Sequence, residues 1–264
     1  MGFDALERRI ANFRGRVGVV VEEAAGATLF ERHGDEIFPA ASVIKLPLVM
    51  ALYAEGALGG IDLDERADVG ARVDGSGVLR HLRDPGALTL RDLATLAVIV
   101  SDNTATNRLI ERVGVDAVNG YLDRWGCSRS RLRRKMYNLD ARARGQENEM
   151  TPRETASLLG RLVRGELLDR ATSDAVLAVL AGNQDDARLR RYLPDGVWVG
   201  HKSGSLERVR NDAGVIRASA SVIVAGFCSE LASEAEGEAL LGLLGWCGYR
   251  AAGGAGPDLP PMLV

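Results

Sequence analysis

Apolar and polar residues follow patterns that predict strands and covering helices at both ends of the chain. Apolar residues recur at helical spacing over 3–13, and a second apolar segment over 233–250 predicts a helix in spite of its glycines. Between them, five segments have the composition of strands: residues 17–21, 27–31, 196–204, 212–217 and 220–229. A small Ala-Gly turn separates the first two segments, which predicts a hairpin.

From about residue 41 to residue 190 the pattern is almost wholly helical. Thr89 is predicted to cap one helix, with Asp92 three residues later in a variant of the capping box. Thr151 and Pro152 are residue types favoured at an N-cap and at the first helical position, and Gly114 is predicted to end a further helix. The pattern therefore predicts an all-helical insertion between the second and third strands.

This order of elements predicts an α+β fold with two domains. Five antiparallel strands flanked by the terminal helices would form an α/β sheet domain from residues 1–35 and 190–264 together. Residues 36–189 would form an all-α domain. At 264 residues, the chain is long enough for one large domain or for two interlocked smaller ones.

Composition and charge narrow the class of partner. The apolar fraction of 46% and the charged fraction of 26% are ordinary for a protein with a real core. The net charge of −3 gives no electrostatic reason to expect nucleic acid or an anionic membrane. Three widely separated histidines, and cysteines without C-x-x-C spacing, predict neither a metal site nor a disulfide frame. We expect no cofactor and a monomer.

The N-terminal segment lacks the features of a signal peptide, because charged residues interrupt it every few positions. We therefore expect a cytoplasmic protein, or a periplasmic or secreted one if a leader has been removed. No uninterrupted apolar stretch approaches the length of about 18 residues that a membrane span needs, so no membrane span is predicted.

One lysine stands out in the apolar run FPAASVIKLP, residues 38–47. Lys45 lies three residues after Ser42, so the two side chains share a face if the segment is helical. One interpretation is a lysine at the edge of an amphipathic helix, with its ammonium group in water. The other is a serine nucleophile and its base, which requires burial and a second cation to lower the pKa of Lys45. The S-x-x-K motif alone does not decide between them.

Two further motifs follow in order: S-D-N at residues 101–103 and K-S-G at residues 202–204. S-x-x-K, S-D-N and K-T-G together form the motif set of class A β-lactamases and penicillin-binding proteins, and the serine in K-S-G keeps the hydroxyl. The chain resembles this family of serine hydrolases over nearly its whole length. The resemblance implies the β-lactamase fold, a small-molecule substrate and opening of a β-lactam amide through an acyl-Ser42 intermediate.

The resemblance also implies a role for each motif residue. Ser42 would be the nucleophile, Lys45 its base, and Ser101 the relay of a proton to the leaving nitrogen. The backbone N–H groups of Ser42 and Ser205 would stabilise the oxyanion. The implied substrate-binding residues are Asn103 for the acyl side-chain amide and Lys202 and Ser203 for the substrate carboxylate, together with Gly204 and Ser205. Arg210 or Arg208 would assist there, or Arg210 would be a surface residue.

The chain departs from the family in the loop before the Thr-Pro helix, where members carry a Glu-x-x-Leu-Asn motif. That glutamate activates the water that releases the acyl-enzyme. In an ungapped alignment Leu139 matches the leucine, Asp140 takes the asparagine position, and Met136 replaces the glutamate. Because a methionine cannot take up a proton, deacylation is predicted to be slow or to rely on Asp140. In another register of the loop it would rely on Glu147 or Glu149.

Three functions remain open at this point. The overall resemblance favours a β-lactamase. A related serine esterase or D-Ala-D-Ala peptidase would use the same acylation chemistry. A non-catalytic β-lactam-binding module would keep the pocket without turnover.

Overall fold

A computed structural model describes residues 3–260, and its central feature is a five-stranded antiparallel sheet. The strands are β1 (Arg16–Glu23), β2 (Thr28–Arg32), β3 (Phe38–Pro39), β4 (Arg66–Asp68), β5 (Ala87–Thr89), β6 (Glu149–Met150), β7 (Trp198–Leu206), β8 (Val209–Arg217) and β9 (Ser221–Ser229). The large sheet has the order β2-β1-β9-β8-β7. Strand β7, which carries the K-S-G motif, is therefore an edge strand.

Helices cover both faces of this sheet. The helices of the described chain are α1 (Asp4–Ala11), α2 (Lys45–Ala57), α3 (Leu90–Ile99), α4 (Asn103–Val113), α5 (Val115–Arg124), α6 (Leu139–Ala143), α7 (Pro152–Arg164), α8 (Arg170–Ala181) and α9 (Glu234–Ala251). Short 3₁₀ helices cover Ala41–Ile44 and Leu79–His81. The predicted α+β class and the five-stranded sheet with terminal helices are confirmed.

The helical block also contains two small sheets that the sequence pattern did not predict. Strand β3 pairs with β6, and β4 pairs with β5. Each of these strands has only two or three residues, which is too short for an alternating pattern to appear. The β3–β6 pair joins the chain just before Ser42 to the end of the loop that contains Met136, so it helps to position the site.

The helix ends follow the predicted capping chemistry. Thr89 accepts a hydrogen bond from the Asp92 N–H at the start of α3, and Thr151 caps α7 with Pro152 in the first turn. Helix α4 ends at Val113, before Gly114 with its φ of 89°. A left-handed φ of this kind favours glycine because it has no Cβ. These three predictions are confirmed.

Buried side chains form two clusters, one on each face of the sheet. The smaller cluster lies between the sheet and the terminal helices, and includes Leu6, Leu244 and Trp246. The larger one contains most of the helical block together with Val20 and Phe227 of the sheet. This larger core includes residues of both the sheet and the helical block. The division of the chain into two domains at residues 35 and 190 therefore stays a prediction.

Helix α9 packs on the sheet along most of its 18 residues. Within residues 3–260, neither this helix nor any other combines the length and apolar character that crossing a bilayer requires. The glycines of α9 allow close packing: a Cβ added to Gly245 would overlap the backbone carbonyl of Leu189. That carbonyl belongs to the segment that leads into β7.

We therefore expect Gly245→Ala to destabilise the protein by about 1–3 kcal/mol, because the backbone it would meet has little freedom to shift. Gly120→Ala in α5 is the matched control, since its added Cβ would have only the Arg124 guanidinium nearby, at 3.9 Å. The control is expected to be neutral or stabilising by up to about 1 kcal/mol. Urea unfolding measures both, and equal effects would contradict the packing argument.

Candidate active site

Ser42 lies in the 3₁₀ turn that leads into α2, and the sheet holds the segment before it. Asn211 of β8 is fully buried and donates to the backbone carbonyls of Pro39, at 2.8 Å, and Ala40, at 3.2 Å. Ala41 has a φ of 48°, a left-handed value that is costly for a residue with a Cβ. The sheet therefore fixes a strained turn immediately before the serine.

The change from 3₁₀ to α-helix explains how Pro47 fits inside this apolar segment. The regular helix begins at Lys45, so Pro47 is its third residue. Backbone N–H groups in the first turn of a helix have no partner within the helix, and the missing N–H of proline costs little there.

Lys45 is fully buried, and its amino group has three oxygen neighbours. Nζ lies 2.7 Å from the Ser101 carbonyl, 2.9 Å from Asn103 Oδ1 and 3.1 Å from Ser101 Oγ. Burial, and then the positive charge of Lys202, hold the pKa of Lys45 well below its usual value, against the opposing charge of Asp102. Two of the neighbours only accept hydrogen bonds and the third can donate one, which suits a neutral amine.

The S-D-N segment is shaped by its central aspartate. Asp102 caps α4 by accepting from the Ala105 N–H at 2.9 Å. Its other oxygen accepts from the N–H groups of Val78, at 2.7 Å, and Leu79, at 2.8 Å. Ser101, just before it, has a φ of 54°. The buried carboxylate thus joins α4 to the opposite loop and sets the direction of the serine and asparagine on either side.

The K-S-G segment brings the edge of the sheet against Ser42. A Cβ added to Gly204 would lie only 2.9 Å from the Ser42 backbone nitrogen, so only glycine allows this approach. Lys202 is fully buried and donates to the Ser203 carbonyl at 2.7 Å. Burial lowers the pKa of Lys202 to about 8, although the negative charge of Asp212 opposes the shift.

A cavity of about 350 Å³ opens between the three motif segments. Its lining combines residues of all three motifs with two neighbouring segments: Ser42, Ser76, Val98, Ile99, Val100, Ser101, Asn183, Gln184, Asp185, Lys202, Ser203, Gly204 and Ser205. Lys45 and Asn103 lie directly behind Ser101 through the hydrogen bonds described above. The structure therefore brings every predicted motif residue together around one small-molecule pocket.

Comparison with known proteins agrees with this geometry. A model of the beta-lactamase enzyme family matches residues 3–247. The chain belongs to this family. Members of the family are serine hydrolases of the class A β-lactamase type, so at family level the protein is a hydrolase of that kind.

Individual relatives cover most of the chain. Beta-lactamase L2 of Stenotrophomonas maltophilia is 34% identical over 223 residues, which are 81% of this chain and 71% of that protein. The crystal structure of a beta-lactamase from Sphaerobacter thermophilus has a TM-score of 0.89 and 35% identity, covering 97% of this chain and all of that one. An ancestral class A beta-lactamase has a TM-score of 0.85 and 29% identity, covering 94% of this chain and 98% of its own.

Met136, which the ungapped alignment matches to the family's glutamate, is joined to α4 by two hydrogen bonds. The Asn107 side chain donates to the Met136 carbonyl at 3.1 Å and accepts from the Met136 N–H at 2.7 Å. Asn107 is one helical turn beyond Asn103, and the Met136 side chain is buried. A thioether at this position has no capacity to activate water.

The other carboxylates of this loop do not line the pocket. Asp140 is exposed in the first turn of α6. Glu147 pairs with Arg134 at 2.5 Å, and Glu149 pairs with Arg133. The geometry therefore adds no support to a deacylation role for Asp140, or for either glutamate.

The predicted helper arginines point to other partners. Arg210 pairs with Glu238, at 3.0 Å, and with Glu234 of α9. Arg208 donates to the carbonyl groups of Leu231 and Glu230. Neither arginine lines the pocket.

Arg188 lies behind the pocket lining and contacts two of its residues, and no sequence pattern pointed to it. Its side chain is 6% exposed and donates to Ser205 Oγ at 2.6 Å and to Asp185 Oδ2 at 2.7 Å. Arg188 and Asp185 belong to a loop before β7 that carries no recognised motif. The only signal in the sequence is the Asp-x-x-Arg spacing, which is common to many surface ion pairs.

The role of Asp102 as a double anchor leads to a stability prediction. We expect Asp102→Asn to destabilise the protein by about 1–3 kcal/mol, because the amide NH₂ would face the N–H groups of Val78 and Leu79. Asp169→Asn at the exposed N-cap of α8 is the control, and little change is expected because asparagine is an equally good cap. Thermal unfolding of both variants checks this. Similar small changes would show that the contacts to the opposite loop contribute nothing.

Proposed function

We propose that the protein reacts with β-lactams to form an acyl-enzyme on Ser42, and that it hydrolyses this intermediate slowly. The observation that carries the proposal is the environment of Lys45: a fully buried amino group between Ser101 and Asn103, beside the cavity that Ser42 lines. A buried lysine with a lowered pKa is a suitable base for a serine hydroxyl at neutral pH.

In the proposed acylation, neutral Lys45 takes the proton of the Ser42 hydroxyl as Oγ attacks the lactam carbonyl carbon. The backbone N–H groups of Ser42 and Ser205 stabilise the oxyanion. The proton then moves from Lys45 to Ser101 Oγ, while the hydroxyl proton of Ser101 passes to the lactam nitrogen as its bond to the carbonyl carbon breaks. The hydrogen bond of 3.1 Å between Lys45 Nζ and Ser101 Oγ supports this relay.

The substrate carboxylate is proposed to bind at the K-S-G end of the cavity. Lys202 supplies a buried positive charge and Ser203 a hydroxyl. We assign the assisting arginine to Arg188 rather than to Arg210, because Arg188 donates to a residue of the lining. Asn103, which lies behind Ser101 beside Lys45, is proposed to hold the acyl side-chain amide.

Slow deacylation follows from the chemistry of position 136. Release of the acyl group requires a base that activates water, and a positioned base contributes about 10²–10⁴-fold to such a step. Met136 supplies none, and Asp140 is exposed.

The same observation favours a second candidate, a serine esterase or a D-Ala-D-Ala peptidase that β-lactams inhibit by long-lived acylation. Turnover of a p-nitrophenyl ester or of a D-Ala-D-Ala peptide, without turnover of lactams, would favour it. A pocket that binds β-lactams without any covalent adduct would favour a non-catalytic module.

Intact-mass spectrometry tests the proposal directly. After mixing with benzylpenicillin, the protein should gain the mass of one whole penicillin, and the adduct should persist long after free drug is removed. Ser42→Ala is the control and should show no adduct. Absence of both adduct and turnover would refute the proposed function, and rapid turnover without an accumulated adduct would refute slow release.

The same assay on Met136→Glu isolates the release step. We expect this variant to lose its adduct at least about tenfold faster than the parent, because a carboxylate at 136 restores a base. Met136→Gln has the same size without a base and should keep the slow rate. Equal rates in the two variants would contradict the explanation from position 136.

A further inference from the structure

We propose that Asp185 forms a subsite for a positively charged substituent of the substrate, beside the place where the substrate carboxylate binds. The inference rests on the proposed function, since it concerns β-lactams held at the K-S-G end of the cavity. The expected ligands are cephalosporins whose C3 substituent carries a fixed positive charge.

Asp185 is the one acidic residue among those that line the cavity within the described chain. Its side chain is 25% exposed. One carboxylate oxygen accepts from the Ala187 N–H at 3.0 Å and the other from Arg188 Nη1 at 2.7 Å. Because each carboxylate oxygen can accept two hydrogen bonds, these contacts fix the group without using its full capacity.

The carboxylate keeps its charge at neutral pH. Burial by itself would raise the pKa of Asp185, but the positive charge of Arg188 and the hydroxyl of Ser203 outweigh it and hold the pKa below its usual value. An ionised carboxylate at the wall of a small cavity attracts a positively charged group on the substrate.

The position of Asp185 determines which part of a substrate it meets. It lies near Ser203 and, through Arg188, is connected to Ser205. This is the end of the cavity proposed to hold the substrate carboxylate. In a cephalosporin the carboxylate is on C4 of the six-membered ring and the variable substituent is on the adjacent C3. A carboxylate bound at Lys202 therefore places the C3 substituent next to Asp185.

A purely structural role is the competing explanation, in which Asp185 only neutralises and orients the buried Arg188. That role would make every anionic substrate respond equally to the loss of Asp185. A subsite for positive charge makes the response depend on the charge of the C3 substituent. The two explanations therefore differ in a ratio between substrates rather than in the activity itself.

Cephalothin and cephaloridine provide the matched pair of probes, because they share a thienylacetyl side chain. Cephalothin carries a neutral acetoxymethyl group at C3, and cephaloridine a pyridiniomethyl group. The second-order rate constant for formation of the Ser42 adduct is measured for both by intact mass. We expect the ratio of cephaloridine to cephalothin to fall about fivefold in Asp185→Asn, as for loss of one partly exposed charge contact.

Two further variants complete the test. Asp186→Asn removes the same charge one residue away, from a side chain that is 76% exposed and pairs with Arg190, and should leave the ratio unchanged. Asp185→Glu keeps the charge and should keep most of the ratio. An unchanged ratio in Asp185→Asn, with both drugs still forming adducts, would overturn the subsite while leaving the proposed function intact.

A measurement on the unmodified protein guards against a variant that does not fold. Rising sodium chloride concentration should lower the rate of adduct formation more steeply for cephaloridine than for cephalothin, because salt screens the Asp185 contact. Parallel salt dependences would overturn the subsite. No adduct with either drug would overturn the proposed function and the subsite with it.

Discussion

The burial of one amino group without a dedicated counter-ion is the constraint on which this structure depends. Lys45 has no solvent exposure, and its three hydrogen-bond partners are two oxygens of Ser101 and one of Asn103. Transfer of an ammonium ion into such a site costs far more than these bonds return, and the group responds by favouring its neutral form. The fully buried Lys202 strengthens that preference. Burial thus favours the neutral form of Lys45, which is the form that can accept a proton.

Rigid elements on three sides maintain this arrangement. Asn211 ties the sheet to the chain before Ser42, Gly204 lets the edge strand approach the serine, and Asp102 joins α4 to the opposite loop. The left-handed φ values at Ala41 and Ser101 place strain next to the two hydroxyl groups proposed to move protons. Such strain persists only where surrounding packing determines the backbone, which the continuous core provides. The sheet, its edge strand and α4 together therefore fix the positions of Ser42 and Ser101.

The sequence predicted the parts of this design that have regular spacing. The strands, the capped helices and the three motifs have fixed patterns, and the resemblance they carry led to the family. Arg188 and Asp185, to which we assign substrate contacts, were not predicted because only the fold brings their loop to the pocket. The resemblance suggested Arg210 as a helper for the substrate carboxylate. In the structure Arg210 pairs instead with Glu234 and Glu238 of α9. Met136 was recognisable from the sequence as a departure from the family motif, and in the structure its side chain is buried.

The protonation state of Lys45 is the most direct test of the account. The chain has only three lysines, Lys45, Lys135 and Lys202, so the side-chain signals of protein labelled with ¹³C,¹⁵N-lysine can be followed individually in an NMR pH titration. Lys135 is partly exposed and pairs with Glu111. The account predicts that Lys45 titrates well below the ordinary lysine pKa of about 10.4, and that Lys202→Met moves its titration upward. A Lys45 signal that titrates at the ordinary lysine pKa would contradict it.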